Sequence, residues 1–236
     1  DRWYDLGHDT FLFFNFTEKS FRDIVEFWLL ASLVLFFHEC GHALTVKHYG
    51  GEVHRMGFLL IYLTPAFFTD STEVFVYGNK WQRVNTVVWG AWAEMQICWI
   101  ATLLWWGTPP GGLIHEWAYN LVLITGLAVF FFNWNPLIKL DGYYILTEIL
   151  GWPDLKEEST AYLSAWIKRH VWKLPVDVPF VPQQRRFGYV TYAVASGMYS
   201  YCLLYLFARF VGNVASSFSP EWGFLATLAV GYRIFR

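Results

Sequence analysis

The sequence predicts an all-α polytopic membrane protein of about five transmembrane helices, with a short re-entrant strand-like segment near residues 56–68. Three observations predict it. Hydrophobic residues fill 56% of the 236 positions and charged residues only 15%, well below the roughly 25% usual in soluble domains. The apolar residues gather into runs close to the ~20 residues that cross a bilayer core. Tryptophans stand near the run ends, at Trp81, Trp105, Trp106, Trp117, Trp134 and Trp222, as an interfacial belt requires.

The runs follow in order. The first extends from Ile24 to about Val46 and passes through His38–His42. The second is Asn85–Trp106. The third, Trp117–Trp134, is stopped by Asn135-Pro136, because proline disfavours helix in the residue before it. The fourth is Phe187–Val211. The fifth, Phe218–Ile234, is shorter and holds Arg233. Met56–Asp70 is apolar for only about a dozen residues and contains Pro65, which suits a re-entrant or interfacial segment in extended form. Trp152–Arg186 mixes charges with Pro175, Pro179 and Pro182, which forbid one continuous helix. An aqueous loop is expected there, with a surface helix around Thr160–Val171. The organisation read from this is a membrane core over residues 1–150, a cytoplasmic loop over 151–186 and C-terminal transmembrane helices over 187–236.

Basic residues set the expected orientation. Lys47, Arg55, Lys80 and Arg83 flank the first connection, and six more lie between Lys156 and Arg186, whereas residues 107–116 have none. The positive-inside rule therefore puts 47–84 and 150–186 in the cytoplasm and 107–116 outside. A net charge of -2 gives no footprint for nucleic acid. The three cysteines, Cys40, Cys98 and Cys202, show neither zinc-knuckle spacing nor a secreted disulfide pattern. The chain opens at Asp1 without a visible cleavable signal, so an upstream segment is expected to be missing.

Chemistry is concentrated in the first run, at "FFHECGHALTVKH" (Phe36–His48). His38 and His42 are four apart and share one helical face, where two imidazoles can grip one metal ion. Glu39 between them can activate a water held on that ion. Zinc suits such a site, taking three protein ligands and leaving one position open. The alternative is a set of buried polar residues satisfied by neighbouring helices. Ionisable groups within a membrane are expensive and mark function, which disfavours that alternative.

Three residues can complete the site. His48 has the spacing of the long HExxHxxGxxH motif, but Thr45 stands where the helix-breaking glycine belongs. On an unbroken helix it lies about 9 Å beyond His42. Glu94 sits mid-span and is either a ligand or a hydrogen-bonding group between helices. Asp141, in "NWNPLIKLDGYYIL", follows the break at Asn135-Pro136 and adjoins Gly142, which relaxes the backbone. Broken backbone at membrane depth is tolerated only where protein or a water-filled cavity receives it.

Membrane-embedded "HECGH" followed by "NPLIKLDG" resembles the site-2 protease family of intramembrane zinc metalloproteases, over about Trp28 to Leu150. "LDGYYIL" is similar to the bacterial branch described as peptide zinc metalloproteases. The resemblance implies a Zn2+ site made by His38, His42 and Asp141, with Glu39 as general base and Asn135 holding the substrate backbone or the developing oxyanion. It implies a zinc metalloendopeptidase in a bacterial inner membrane, making residues 1–150 the catalytic core. The implied partners are a transmembrane or leader peptide substrate, the lipid bilayer, and a secretion-adaptor or other membrane subunit. Many family members carry NPxPxxDG, whereas Leu137-Ile138-Lys139 follow Pro136 here. The family's peptide-binding regulatory domain has no room in the short loop between the second and third runs. Depth also separates the carboxylates. Glu94 lies about nine residues, or ~14 Å, into its span and hence near mid-bilayer. Two other functions remain open: an inactive membrane subunit, disfavoured by the intact His-Glu-His-Asp set, and a metal-ion carrier, disfavoured by the lack of paired halves.

Overall fold

The computed structural model describes residues 21–61, 64–127 and 133–216. Most of them are helical. The order is α1 (Phe21–His48), β1 (Met56–Ile61), β2 (Thr64–Thr69), α2 (Thr72–Tyr77), α3 (Lys80–Gly107), α4 (Leu113–Leu127), α5 (Asp141–Leu150), α6 (Leu155–His170) and α7 (Gln183–Ser216). The chain forms two compact units that meet in sequence at Gly151/Trp152.

Two of the five expected spans are supported. Among the described residues, Val25–His48 of α1 and all of α3 are long and apolar enough to cross a membrane. Their apolar side chains are largely uncovered by the chain itself: Leu44 is 71% exposed and Trp99 66%. A core helix of a soluble protein would bury such groups, whereas lipid can solvate them. α4, a helix of 15 residues, covers the expected third span from Trp117 to Leu127, and residues 128–132 lie outside the described part. α7 covers the fourth run over 34 residues. Phe218–Ile234 lies outside the described residues.

In the first unit α1 and α3 are packed together. Gly41 faces the backbone of Trp89 and Gly90 so closely that an added Cβ would overlap the Trp89 carbonyl. Small residues let membrane helices approach in this way. The start of α3 is specified locally by a capping box. Asn79 Oδ1 accepts from the Gln82 N–H at 3.0 Å, and Gln82 Oε1 accepts from the Asn79 N–H at 2.8 Å. That end of α3 also grips the end of α5. Lys80 Nζ donates to the Ile149 carbonyl at 2.8 Å, and Arg83 Nε to Glu148 Oε2 at 2.9 Å. Cations are favourable at a helix C-terminus, where carbonyls lack partners. At the far end of α3, Trp105 packs on Ala118, Tyr119 and Leu123 of α4.

The segment expected to be extended is an antiparallel hairpin, with Met56 paired to Thr69 and Ile61 to Thr64. The Thr69 hydroxyl donates to the Glu39 carbonyl at 3.1 Å, which ties β2 to α1. Phe36 of α1 and Phe67 of β2 meet edge to face at 5.8 Å. After the hairpin, Glu73 accepts from the Glu52 backbone N–H and from His54 Nε2, both at 2.7 Å. These two donors hold its carboxyl below the ordinary range, the backbone N–H having the larger effect.

The second unit is built on α6 and α7. α6 begins five residues earlier than the expected surface helix, because Leu155 is buried and anchors its first turn. Tyr162 on α6 and Tyr189 and Tyr192 on α7 are buried as well, and Tyr189 donates to Glu158 Oε2 at 2.5 Å. The extended stretch between the helices holds all three prolines, and α7 starts directly after Pro182.

Candidate metal centre

His38 and His42 lie one turn apart on α1, with ring centroids 4.6 Å apart and their Nε2 atoms separated by 3.0 Å. Asp141 is the first residue of α5. Its Oδ2 lies 3.1 Å from His38 Nε2 and 3.7 Å from His42 Nε2. A tetrahedron with metal–ligand bonds of 2.0–2.1 Å has edges of about 3.3–3.4 Å, so these separations match one face of a zinc shell.

The hydrogen-bonding chemistry supports a cation at this point. His42 Nδ1 lies 2.8 Å from the Thr86 carbonyl, which can only accept, so Nδ1 carries the proton. His38 Nδ1 lies 3.0 Å from Glu94 Oε1. His42 Nε2 therefore presents a lone pair, whereas His38 Nδ1 is buried beside Glu94 without completing a hydrogen bond. Asp141 Oδ2 is buried and has no hydrogen-bond donor. Two imidazole nitrogens and a carboxylate oxygen facing one another call for a shared positive charge, a proton or a metal ion, and two imidazoles with one carboxylate suit Zn2+. The residues present therefore fit the metal.

Each of these three residues is positioned by a feature of the sequence. Thr86, Gly90 and Glu94 are spaced i, i+4, i+8 along one face of α3. They meet α1 in reverse order: Thr86 at His42, Gly90 at both rings, Glu94 at His38. A Cβ on Gly90 would come within 2.6 Å of His42 Nε2 and 2.8 Å of His38 Cε1. Gly90→Ala should therefore displace the rings, lowering zinc affinity at least tenfold and stability by about 1–3 kcal/mol. Gly126→Ala on α4, with open space around that position, serves as control. Zinc titration and thermal unfolding check both. An unperturbed metal site in Gly90→Ala would show that α1 and α3 do not cross there.

Asp141 is aimed by the turn before it. Asn135 Oδ1 accepts from the Leu137 N–H at 2.9 Å, closing an Asx turn after Trp134. The turn lies against the start of α5 so closely that a Cβ on Gly142 would overlap the Trp134 carbonyl. Gly142 is thus required by close approach of two backbone segments, rather than by the backbone freedom expected from sequence. Asn135 lies close to Asp141 through this same packing: its carbonyl carbon is 2.9 Å from the Cβ position of Gly142.

Of the other candidates, His48 is exposed at the last residue of α1, edge to face with Tyr49, and is outside the metal-competent group. Glu94 differs from the expectation. Its computed depth separated it from the site, yet it adjoins His38, because the α1–α3 crossing sets the two at one level. Its neighbour Asn133, which donates to both carboxylate oxygens at 3.0 and 3.2 Å, went unnoticed in the sequence. The threonine–glycine–glutamate stripe on an otherwise apolar α3 is the signal that marks this face. Glu52, His54 and Glu73 form a second group with metal-competent spacing. There Glu73 already spends both oxygens on the internal bonds described above.

Comparison with known proteins gives one curated relative. Over 150 residues the chain is 25% identical to a Bacillus subtilis (strain 168) protein named "Putative peptide zinc metalloprotease protein YydH". The match covers 61% of this chain and 53% of that protein, so the chain spans about half the length of its relative. No protein-family model matches the chain, and no solved structure matches it. The chain is thus similar to a protein named as a zinc metalloprotease, and it carries a histidine–aspartate group that can hold a metal ion.

Proposed function

We propose that this chain is an intramembrane zinc metalloprotease of the site-2 type. The carrying observation is the convergence of His38 Nε2 and His42 Nε2, from the membrane-length helix α1, with Asp141 Oδ2 at the start of α5. The similarity to a named peptide zinc metalloprotease supports the same reading. The ligands are His38, His42 and Asp141. Zn2+ held there supplies Lewis acidity, acidifying a water ligand and polarising the scissile carbonyl.

The chain's own residues do the rest. Glu39 projects from the same helix and is half-buried. It takes a proton from the attacking water and returns it to the leaving amine. Asn135 accepts the Leu137 N–H on its amide oxygen, which orients the side chain. It donates to the oxyanion, a contact worth about 3 kcal/mol in other enzymes. A peptide bond inside a helix is shielded, so the substrate must unwind. The β1–β2 hairpin, fastened to α1 at Glu39, offers an edge along which an extended peptide can pair.

The substrate class is a transmembrane or leader peptide. The setting is a bacterial inner membrane crossed several times, about five in full, with a secretion-adaptor or other membrane subunit as partner. The test uses the chain reconstituted in liposomes with single-span and leader peptides. Cleavage that stops on chelation and returns with added zinc is expected. Cleavage that persists after complete removal of the metal would overturn the assignment.

A further inference from the structure

Among the described residues of the first unit Glu94 is the most deeply buried carboxylate, with no exposed surface, in the middle of a helix that is apolar on most sides. Such a group is expensive unless it is paired. Among the described residues no lysine or arginine reaches it; its ion-pair partner is His38, and its hydrogen-bond donor is Asn133. We propose that Glu94 is a positioning residue of the metal centre: anchored by Asn133, its carboxylate stands 3.0 Å from His38 Nδ1, outside hydrogen-bond geometry, and holds the ring through charge attraction so that Nε2 is presented to the ion. This inference rests on the zinc reading of the site above.

Ring geometry separates this role from direct ligation. The two nitrogens of an imidazole point in diverging directions. The Glu94 carboxylate lies at Nδ1, and Asp141 lies at Nε2 of the same ring. A group on the Nδ1 side cannot share an ion held on the Nε2 side. Its effect is exerted through the ring: it selects the tautomer, sets the ring plane and makes Nε2 a stronger donor. His42 receives the same service from the Thr86 carbonyl. Both histidines are therefore oriented by α3, one through backbone and one through a charged side chain. Asn133 adds a further link. It belongs to the segment that continues through Asn135 to Asp141, so the Asn133–Glu94–His38 chain couples the third ligand's segment to the first ligand.

The experiment measures zinc affinity of the purified full chain by chelator competition, together with the visible absorption of its Co2+ form. Glu94→Gln preserves shape and can still accept a hydrogen bond, but it removes the charge. It is expected to weaken zinc about 10- to 100-fold while leaving the Co2+ spectrum like that of the wild type, because the ligand set is unchanged. Asp141→Ala, by contrast, is expected to alter that spectrum. Wild-type affinity in Glu94→Gln overturns the positioning role. So does a Co2+ spectrum altered as in Asp141→Ala, since Glu94 would then be a ligand. If Glu94→Gln does not fold, Asn133→Ala carries the test, and unchanged affinity there overturns the inference. A wild-type chain that binds no zinc overturns the metal reading itself, and this inference falls with it.

Discussion

Replacing Glu39 by glutamine is expected to leave zinc bound at about one equivalent and to lower peptide cleavage by at least 10²–10⁴-fold, the usual contribution of a general base. The side chain is absent from the metal-competent group, so removing its charge costs no ligand. Glutamine is nearly isosteric, and the Thr69 bond to residue 39 uses the main-chain carbonyl, so the link to the hairpin survives the substitution. Only the capacity to accept a proton disappears. Metal analysis beside a cleavage assay separates the two effects. Near-normal proteolysis in Glu39→Gln would remove the base from the mechanism, and loss of zinc would make Glu39 a ligand.

The second large effect is expected at Asp141. Asp141→Ala leaves two imidazoles to hold the ion. It should lose most of its zinc, with affinity falling by roughly 100-fold or more, beyond the range typical of outer-shell partners. His48→Ala should keep the metal, because that residue sits at the exposed end of α1, ten positions after His38. The two variants discriminate sharply because both remove a group that sequence spacing allows as the third ligand. Full occupancy in Asp141→Ala together with loss in His48→Ala would mean that α1 breaks near Thr45 and folds back. Stable retention in both would shift the third ligand elsewhere.

Some features were legible because their causes are local. The apolarity of Ile24–Val46 and Asn85–Trp106 is a property of each stretch by itself, and both lie within long helices, α1 and α3. The extended form of Met56–Asp70 follows from its short length and aromatic content, and the hairpin is found there. α6 was placed five residues late because its first turn is set by burial of Leu155 against its own unit, which charge composition does not reveal.

The sequence by itself determined the pairing of His38 with His42, because four residues on a helix always return to one face. It also determined that the chain breaks before Asp141, because Pro136 restricts Asn135 wherever the segment lies. Only the tertiary structure decided what meets those histidines. Asp141 stands about a hundred residues beyond them, and its carboxylate reaches Nε2 through the close seating of the Trp134–Asn135 turn on Gly142. Glu94 and Thr86 reach the opposite side of the same rings because Gly41 and Gly90 let two helix backbones cross nearly in contact. Depth counted along one helix cannot foretell that crossing. The level at which two helices meet is set by where their small residues allow approach, and that depends on both partners together.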